Sequence, residues 1–214
     1  MDILIGLTVC AAIGYFIGNI SPSYIIGRIK GYDVRTSGSK NAGASNTVIM
    51  AGKLAGLFVA VFDICKATIS WKLAAALLPT VRVAGAVGGV ACVLGHMFPV
   101  MLNFRGGKGF ACMGGMALAV SPKTFLIMLG VALLVGLVTN YVAVSCATMS
   151  MVWPVYYGLT VHHWLGAAVL AIPIIPIFYK HRENFLRIHE GTEMRLSFLW
   201  QKERELERLG YNDD

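Results

Sequence analysis

Long apolar segments alternate with short polar segments along most of the 214-residue chain. Apolar runs of about 20 residues are long enough to cross a hydrocarbon core of roughly 30 Å as α-helix. Breaks such as Pro79 and Ser121-Pro122 separate several of these runs. The pattern predicts an all-α integral membrane bundle of seven helices. The predicted helices are residues 3–27, 54–78, 82–102, 109–120, 123–139, 141–160 and 163–180.

The fourth predicted helix, residues 109–120, is too short to cross the membrane squarely, because an α-helix rises about 1.5 Å per residue. It either extends into the preceding loop or is partly re-entrant. A re-entrant segment is stable only where other parts of the protein shield its backbone from lipid.

The composition agrees with a membrane protein, since 57% of the residues are hydrophobic and 14% are charged. The mean hydropathy is +0.68. The N-terminal sequence MDILIG has an acid where a signal peptide has basic residues, so we expect a retained first helix. The five cysteines lie in apolar stretches without CxxC spacing, which predicts small buried side chains, neither a disulfide nor a structural metal.

The lysines and arginines predict the orientation of the bundle. In a soluble protein the net charge of +7 would suggest nucleic acid, but here the location of the cations is more informative, and no nucleic acid is expected. The seven helices place 14 of the 18 cations on one side and Arg82 and Lys123 on the other. By the positive-inside rule the cation-rich side is cytoplasmic, with the N-terminus outside and the C-terminus inside.

Two glycine-rich segments lie on the predicted cytoplasmic side. The first, "RTSGSKNAGASNT" (Arg35–Thr47), is typical either of an anion-binding loop or of an ordinary polar turn. The second contains "NFRGGKGF" (Asn103–Phe110), whose spacing fits neither a Walker A loop nor a dinucleotide fingerprint. Its glycines could let backbone N–H groups converge on a phosphate beside Lys108 and the next helix N-terminus. A flexible basic loop would have the same composition.

Charged and titratable residues mark three further places. In "YKHRENFLRIHEGTEMRL" (Tyr179–Leu196), His181 and Asn184 share one face if helical, although such basic runs also simply hold anionic lipid headgroups. Asp63 and Lys66 lie inside the second helix at i,i+3 spacing, which favours an internal ion pair over a proton relay. His96 is expected to have a hydrogen-bonded structural role.

The segments divide the chain into two predicted parts. Residues 1–195 form a single transmembrane domain. Residues 196–214 contain "LSFLWQKERELERLG", which predicts an amphipathic helix in the cytoplasmic membrane interface.

Together the motifs resemble one known family. "GSKNAGASN" (Gly38–Asn46), "DICK" (Asp63–Lys66), "GHMFP" with "FRGGKGF", and "KHRENFLRIHEGTE" (Lys180–Glu193) are similar, in order and spacing, to the bacterial acyl-phosphate-dependent glycerol-3-phosphate acyltransferases of PlsY type. The resemblance implies a seven-helix enzyme of the bacterial cell membrane with its motifs facing the cytoplasm. It implies transfer of an acyl group from acyl phosphate to the 1-hydroxyl of glycerol 3-phosphate, giving lysophosphatidic acid and phosphate for phospholipid synthesis. No cofactor, metal or acyl-CoA is implied, and an upstream acyl-phosphate-forming enzyme is an expected partner.

The resemblance also implies roles for individual residues. The catalytic residues are expected to be Ser39, His181 and Asn184. Substrate binding is expected from Gly38, Lys40, Asn41, Gly43, Asn46, Arg105, Gly106, Gly107, Lys108 and Gly109. Structural roles are expected for Asp63, Lys66, His96 and Glu193. Because acyl phosphate is already activated, direct transfer to the acceptor is favoured over an acyl-enzyme on Ser39.

One position departs from the family pattern. Ile49 stands where the family usually has an arginine that is expected to help hold the phosphate of the acceptor. Either Arg35, Lys40 or Lys53 compensates, or the acyl acceptor differs. The sequence is also compatible with a transporter of an anionic solute and with an inactive partner subunit.

Overall fold

The computed structural model describes residues 2–210 of the chain. This region contains eleven α-helices and two 3₁₀ turns, joined by loops. The α-helices are α1 (Ile3–Asn19), α2 (Pro22–Ile29), α3 (Ala44–Ala51), α4 (Lys53–Leu77), α5 (Ala84–Met97), α6 (Phe110–Val120), α7 (Pro122–Thr139), α8 (Val142–Val161), α9 (Trp164–Ala171), α10 (Ile174–His189) and α11 (Lys202–Arg208). The 3₁₀ turns are Val100–Leu102 and Leu196–Leu199.

Six helical segments of this region are long and apolar enough to cross a membrane. They are Ile3–Ile29, Lys53–Leu77, Ala84–Leu102, Pro122–Thr139, Val142–Val161 and Trp164–His189. The prediction of an all-helical membrane fold is confirmed. The fourth predicted helix corresponds to α6, which has 11 residues. It is therefore roughly 16 Å long, about half the thickness of a hydrocarbon core.

The helices form two packed groups that share a core. In the first group α1 packs along α5, and α4 contacts both α5 and α6. In the second group α8 contacts α7, α9 and α10, and α6 joins the groups by contacting α7 and α8. Large side chains of both groups, including Trp71, Met97, Met116 and Trp153, fill the space between them.

Glycines allow the helices of the first group to approach closely. A Cβ atom on Gly14 of α1 would overlap the carbonyl oxygen of Gly88 of α5. A Cβ atom on Gly115 of α6 would likewise overlap the backbone of Ile64 in α4. Across this second contact Thr68 Oγ1 donates to the Gly115 carbonyl at 2.9 Å. Such close contacts between small residues are the usual way in which membrane helices associate.

The first predicted helix, residues 3–27, is broken into α1 and α2. Pro22 has no N–H to donate to the carbonyl four residues earlier, and it stands at the first position of α2. Ser21 caps α2, because its side chain accepts a hydrogen bond from Tyr24 N at 3.3 Å. The prediction of one continuous helix here is wrong, because Ser21-Pro22 is a helix-start signal inside an apolar run.

The last predicted membrane helix also differs. Residues 163–180 are divided at Pro173 between α9 and α10, and α10 continues to His189. The increase in charge after residue 180 suggested the end of the helix, but charged residues do not terminate a helix. The apolar side chains of Phe185 and Ile188 continue the helical pattern within the charged segment.

An additional helix, α3, lies in the segment that the sequence pattern left as a loop. Gly43 precedes it, and Gly52, with φ +92°, ends it. Val48 of α3 fits directly over Gly56 of α4, where a Cβ atom would overlap the Val48 side chain. Packing of α3 against α4 therefore overrides the polar, turn-like composition of residues 44–47.

The cysteines are free thiols, but one of them is not buried. Cys10, Cys92, Cys112 and Cys146 are buried and Cys65 is exposed. Cys65 lies on the outer face of α4. Its neighbours in sequence, Asp63 and Lys66, are buried on the opposite face. The expectation of five buried cysteines is therefore wrong at this position.

The C-terminal segment folds differently from the predicted single amphipathic helix. It forms the Leu196–Leu199 turn and the short helix α11, separated at Trp200 and Gln201. Hydrogen bonds from Leu196 and Ser197 to Asn140 hold the first turn away from the path of a continuous helix. Residues 211–214 of the predicted tail lie outside the described residues.

Candidate functional site

The first polar segment is folded around the side chain of Asn46, which is completely buried. Asn46 Nδ2 donates to the carbonyls of Val34 at 3.2 Å and Ser37 at 3.1 Å. Its Oδ1 accepts from Ser39 N at 2.8 Å. Gly38 has φ +60°, and a Cβ atom there would overlap Asn46 Oδ1. Asn46 and Gly38 thus fix the loop shape, with the polar atoms of Asn46 directed at the loop itself.

The same loop presents Ser39 and Lys40 at the surface. Both residues are exposed, and Lys40 has a left-handed φ of 55°. Within residues 2–210 no hydrogen bond joins the Ser39 hydroxyl to a histidine, as activation of a serine nucleophile would need. Asn41 is half-buried, and its carbonyl accepts from Gly43 N at 3.0 Å. The loop therefore offers a hydroxyl and a cation without a serine–histidine pair.

The second polar segment follows α5 and turns back against its end. Gly106 N donates to Met97 O at 3.2 Å, and Gly107 N donates to His96 O at 3.0 Å. These N–H groups satisfy the last carbonyls of α5. The expectation that the N–H groups of Gly106 and Gly107 converge on an anion is therefore wrong. Gly109, with φ +88°, immediately precedes α6, and the first N–H groups of that helix form its positive end close to Lys108.

Both glycines are required by close contacts. A Cβ atom on Gly106 would overlap His96 O and would lie 2.5 Å from Pro99 Cδ. A Cβ atom on Gly107 would overlap His96 Nε2 and would lie 2.9 Å from the Ala42 carbonyl oxygen. Gly107 is therefore the point at which the second segment touches the first.

The third polar segment is part of α10. His181 is buried, and its Nδ1 lies 2.8 Å from the Ile177 carbonyl oxygen. Because a carbonyl only accepts, Nδ1 carries the proton in this hydrogen bond. Nε2 of a neutral His181 is then the nitrogen with a free lone pair. His181 is thus oriented as a proton acceptor.

Asn184 joins the third segment to the second. Asn184 Nδ2 donates to Glu193 Oε1 at 2.6 Å, and Arg187 Nε donates to Glu193 Oε2 at 2.7 Å. This arrangement directs Asn184 Oδ1 toward Lys108, whose Nζ donates to it. Lys108 and Asn184 are 76 positions apart in the sequence. The three polar segments therefore meet around Gly107, Lys108 and Asn184.

The surroundings of Lys108 shift its titration. Burial lowers the pKa of Lys108 to about 8. The carboxylate of Glu193 acts in the opposite direction, and the charge of Arg187 adds to the lowering. Lys108 is therefore cationic at neutral pH and loses its charge just above it.

A buried polar cluster lies behind the second segment. Lys66 Nζ is 2.7 Å from Asp63 Oδ1 and 3.0 Å from His96 Nδ1. The ion pair that the sequence predicts inside α4 is thus present, and it includes His96 as a third member. When the ammonium donates to Nδ1, the His96 proton lies on Nε2, the atom that faces Gly107. The cluster is in direct contact with the loop that carries Lys108.

Lys66 also binds the break between α1 and α2. Its Nζ donates to the carbonyls of Gly18 at 3.2 Å and Ile20 at 2.8 Å. These carbonyls have no helical partner because of the Ser21-Pro22 start of α2. The lysine thus satisfies the backbone of a broken membrane helix.

The cluster has residue types that could bind a metal. One potential ligand atom each from Asp63, His96 and Cys112 lies within 4.8 Å of the other two. The Lys66 ammonium lies at hydrogen-bonding distance from two of these residues, Asp63 and His96. It therefore occupies the position that a metal cation bound to both would take. The amino group thus already supplies the positive charge of this cluster.

Arg105 lies apart from Lys108. It lines a cleft of about 320 Å³ together with Asp33, Arg35, Thr36 and Asn103. Arg35 donates to Asp33 through Nε and Nη2 and holds the pKa of Asp33 at about 2. The structure therefore brings Lys108, Asn184 and Glu193 together but places Arg105 in a separate cleft.

The family model for "Glycerol-3-phosphate acyltransferase" matches residues 8–191 of the chain. The chain belongs to the glycerol-3-phosphate acyltransferase family. The resemblance inferred from the motifs is confirmed, and the match includes the first two polar segments and α10.

The chain also aligns with relatives of the same description over nearly the whole length of those relatives. The glycerol-3-phosphate acyltransferase of Clostridioides difficile (strain 630) is 36% identical over 193 residues, covering 88% of this chain and 94% of the relative. That of Bacillus subtilis (strain 168) is 35% identical over 197 residues, covering 92% of this chain and 100% of the relative.

Two solved structures share the fold. A crystal structure of PlsY (YgiH), an integral membrane glycerol 3-phosphate acyltransferase in the glycerol 3-phosphate form, has a TM-score of 0.79 and 33% identity. It covers 91% of this chain and 99% of its own. The lysophosphatidic acid form of the same protein has a TM-score of 0.77 and 32% identity, with the same coverage.

Sequence reasoning missed one residue of this candidate site. Arg187 was counted only as a juxtamembrane cation, yet it holds the carboxylate that orients Asn184. The available signal was its i,i+3 spacing from Asn184, which places both on one face once α10 is known to continue.

Proposed function

We propose that the chain transfers an acyl group from an acyl phosphate to the 1-hydroxyl of glycerol 3-phosphate. Family membership supports acyl transfer to glycerol 3-phosphate. The substrate and product forms of the solved relative, with glycerol 3-phosphate and lysophosphatidic acid, are consistent with this acceptor. The observation that carries the proposal is the meeting of Lys108, Asn184 and the Gly107–Ala42 contact at one place.

Lys108 is assigned to the phosphate of the donor. Its ammonium and the N-terminus of α6 together supply positive charge where a phosphate group leaves. Asn184 holds the ammonium in place through its Oδ1. The side chain of Lys108, rather than the N–H groups of Gly106 and Gly107, is therefore the principal donor to the leaving group.

The reaction needs no strong nucleophile, because acyl phosphate is an activated donor. The acceptor hydroxyl oxygen forms a bond to the acyl carbon while the bond from that carbon to the phosphate oxygen breaks, and phosphate departs with the electron pair. The hydroxyl proton passes to Nε2 of His181 or to the phosphate of the acceptor. The exposed Ser39 hydroxyl is assigned to orienting the substrates by hydrogen bonding.

Lys40 is assigned to the phosphate of the acceptor, in the place of the arginine that Ile49 replaces. Arg35 is paired with Asp33, whereas Lys40 is exposed next to Ser39. Replacing Lys40 with alanine is expected to raise the KM for glycerol 3-phosphate while leaving the KM for acyl phosphate near its original value. Steady-state kinetics with each substrate varied in turn measure this difference. Lys30→Ala, which removes another exposed cation, is the matched control.

The membrane arrangement follows the same proposal. The catalytic segments face the cytoplasm of a bacterial cell, where an acyl-phosphate-forming enzyme supplies the donor. The acyl chain lies among the helices within the bilayer. Within the described residues, the part up to residue 195 forms the catalytic domain with α6 as a short seventh crossing, and residues 196–210 lie at the cytoplasmic surface.

The bonding of the buried charges Asp63 and Lys66 favours an enzyme over a transporter of an anionic solute. Asp63 and Lys66 are paired with each other and with His96, and Lys66 binds two backbone carbonyls. This bonding gives both charges a structural role within the protein.

The decisive experiment uses the purified protein in detergent or lipid nanodiscs. Acyl phosphate and glycerol 3-phosphate are supplied, and phosphate release and lysophosphatidic acid are followed by colorimetry and mass spectrometry. We expect both products, and we expect neither with Lys108→Ala. Phosphate release that requires a different alcohol or an amine would contradict the assignment of the acceptor.

A further inference from the structure

The C-terminal segment, residues 196–208, is attached to the helix bundle at its start by Asn140. Leu196 N donates to Asn140 O at 2.7 Å, and Ser197 N donates to Asn140 Oδ1 at 2.9 Å. Asn140 Nδ2 also lies 3.3 Å from Ser197 Oγ. Asn140 is the left-handed residue between α7 and α8. The start of the segment is therefore fixed to a turn of the bundle.

The end of the segment is attached by Arg208. Its Nη2 donates to the Glu193 carbonyl at 2.6 Å, and its Nη1 donates to the Gly191 carbonyl. The same guanidinium binds both carboxylate oxygens of Glu205, through Nε at 3.0 Å and Nη2 at 2.6 Å. Arg208 thus binds the backbone of the loop that follows α10.

Glu205 makes this attachment rigid. It is only 4% exposed, although carboxylates are rarely buried without partners. Its Oε1 also accepts from Arg195 N at 2.8 Å. Burial raises the pKa of Glu205, but the hydrogen bonds from Arg208 and Arg195 N outweigh this effect and lower it overall. The carboxylate is therefore ionised at neutral pH and holds the Arg208 guanidinium.

The loop that Arg208 binds carries Glu193. The side chain of Glu193 orients Asn184, and Asn184 in turn accepts from Lys108. Hydrogen bonds at the backbone and at the side chain of Glu193 therefore connect α11, through this one residue and Asn184, to the cation of the proposed site.

We propose that Arg208, held by Glu205, is a positioning residue for Lys108. It fixes the backbone at Gly191 and Glu193 and thereby the direction of the Asn184 amide. The role rests on the proposed function, in which Lys108 binds the departing phosphate. The match to the family model ends at residue 191, and Glu205 and Arg208 lie beyond that match.

The first test compares Arg208→Ala with Arg204→Ala in the full-length purified protein. Arg204 lies on the same helix and is exposed, and its side chain makes no hydrogen bond or ion pair with any residue of 2–210. Both variants lose one positive charge from α11. We expect kcat/KM for acyl phosphate to fall roughly 10-fold in Arg208→Ala, because small displacements of a positioned group are costly. Arg204→Ala is expected to keep the original value.

The second test measures the titration of Lys108, which a merely structural role of Arg208 would not change. The charged or titratable groups that act on Lys108 include Glu193, Arg187, Cys146 and Glu183, with Glu193 the strongest of these four. His181 of α10 also interacts with the charge of Lys108. Because Glu193 keeps Lys108 protonated, displacement of Glu193 is expected to lower the pKa of Lys108. The pH at which Lys108 reacts half-maximally with an amine reagent, read by mass spectrometry, should therefore fall in Arg208→Ala and stay unchanged in Arg204→Ala.

The outcomes separate this proposal from the proposed function. If the original protein transfers no acyl group, the proposed function fails, and the Lys108 titration still tests the role of Arg208. An unchanged titration in a folded Arg208→Ala protein would overturn the positioning role, whatever its activity. If Arg208→Ala does not fold, Arg208→Lys replaces it. Lysine keeps the charge with fewer donors, so a smaller shift in the same direction is expected, and no shift would overturn the proposal.

Discussion

Lys108 has a local environment that ties its charge to pH. Its pKa of about 8 means that the ammonium is present below that pH and is lost above it. Because the folded-state pKa lies below the ordinary value of 10.5, the fold disfavours the charged form. Protonation of Lys108 therefore opposes folding at neutral pH, and this opposition disappears as the pH rises from about 8 toward 10.5. The folded protein is therefore less stable with Lys108 protonated, but it has a cation at the site at neutral pH.

The pH dependence of the reaction follows from this titration. We expect kcat/KM for acyl phosphate to decline above pH 8, as Lys108 loses its proton. Lys108→Arg is expected to be less active but to show no such decline, because arginine stays charged. Rates are measured from pH 6.5 to 9.5 with subtraction of non-enzymatic hydrolysis. The same alkaline decline in both proteins would show that another group titrates.

Gly107 provides a second test at the residue scale. A side chain there would overlap His96 Nε2 and the backbone of Ala42, so Gly107→Ala is expected to displace the loop and reduce kcat/KM by roughly 10²-fold. Gly130→Ala is the control, because a Cβ atom on Gly130 of α7 has no neighbour within 4 Å. Comparable activity of the two variants would argue against a close fit at Gly107.

The residue identities at the site could be predicted more fully than their contacts. Lys108, His181 and Asn184 stand in motifs whose residue types indicate phosphate and proton chemistry. The hydrogen bond between Lys108 and Asn184 could not be predicted, because it depends on how α6 and α10 lie in space. The prediction that the N–H groups of Gly106 and Gly107 converge on an anion failed for the same reason. Only the fold shows that these groups donate to the last carbonyls of α5.

At the scale of the elements, a broken helix is stabilised by a charged side chain from another helix. The break between α1 and α2 leaves the carbonyls of Gly18 and Ile20 to Lys66. Apolar run length predicted the helices of the bundle, but it could not show this break or α3. The break follows from the local Ser21-Pro22 signal inside an apolar run. The helix α3, between Gly43 and Gly52, is instead decided by its packing against α4.

Removing the Lys66 amino group is expected to cost about 3–5 kcal/mol of stability, because Asp63 would remain as a buried, uncompensated charge. Lys66→Met is compared with Lys72→Met, an exposed lysine on the same helix. Unfolding in mixed micelles at increasing SDS concentration measures the difference.

Asp63→Leu combined with Lys66→Met should recover only part of the loss, since the two backbone carbonyls still lack their donor. Full recovery in the double variant would mean that these carbonyls do not depend on Lys66.

At the scale of the whole molecule, seven crossings would place the three polar segments and most cations on one side of the bundle. The short helix α6 ends at Val120, and only Ser121 separates it from the start of α7 at Pro122. An odd number of crossings follows if α6 counts as one, and the termini then lie on opposite sides. The distribution of cations predicted this arrangement, but no helix length alone could decide it.

The orientation is tested with fusions at the two ends in a bacterial host. Green fluorescent protein at the C-terminus is expected to fluoresce, because it folds in the cytoplasm. A short epitope tag at the N-terminus is expected to be accessible to antibody added to intact spheroplasts, because that end is expected to lie outside. A fluorescent C-terminal fusion together with an N-terminal tag that stays shielded in spheroplasts would place both ends in the cytoplasm. That result would mean an even number of crossings, with α6 entering and leaving from one face.

The attachment of α11 has a consequence for how it could be found in other chains. Arg208 reaches the bundle mainly through the carbonyl oxygens of Gly191 and Glu193, which every residue type provides. Substitution of the residue at 191 would leave that acceptor in place, so natural variation need not couple the two positions. A search for correlated substitutions would then overlook this contact, and only direct mutation of the arginine would reveal it.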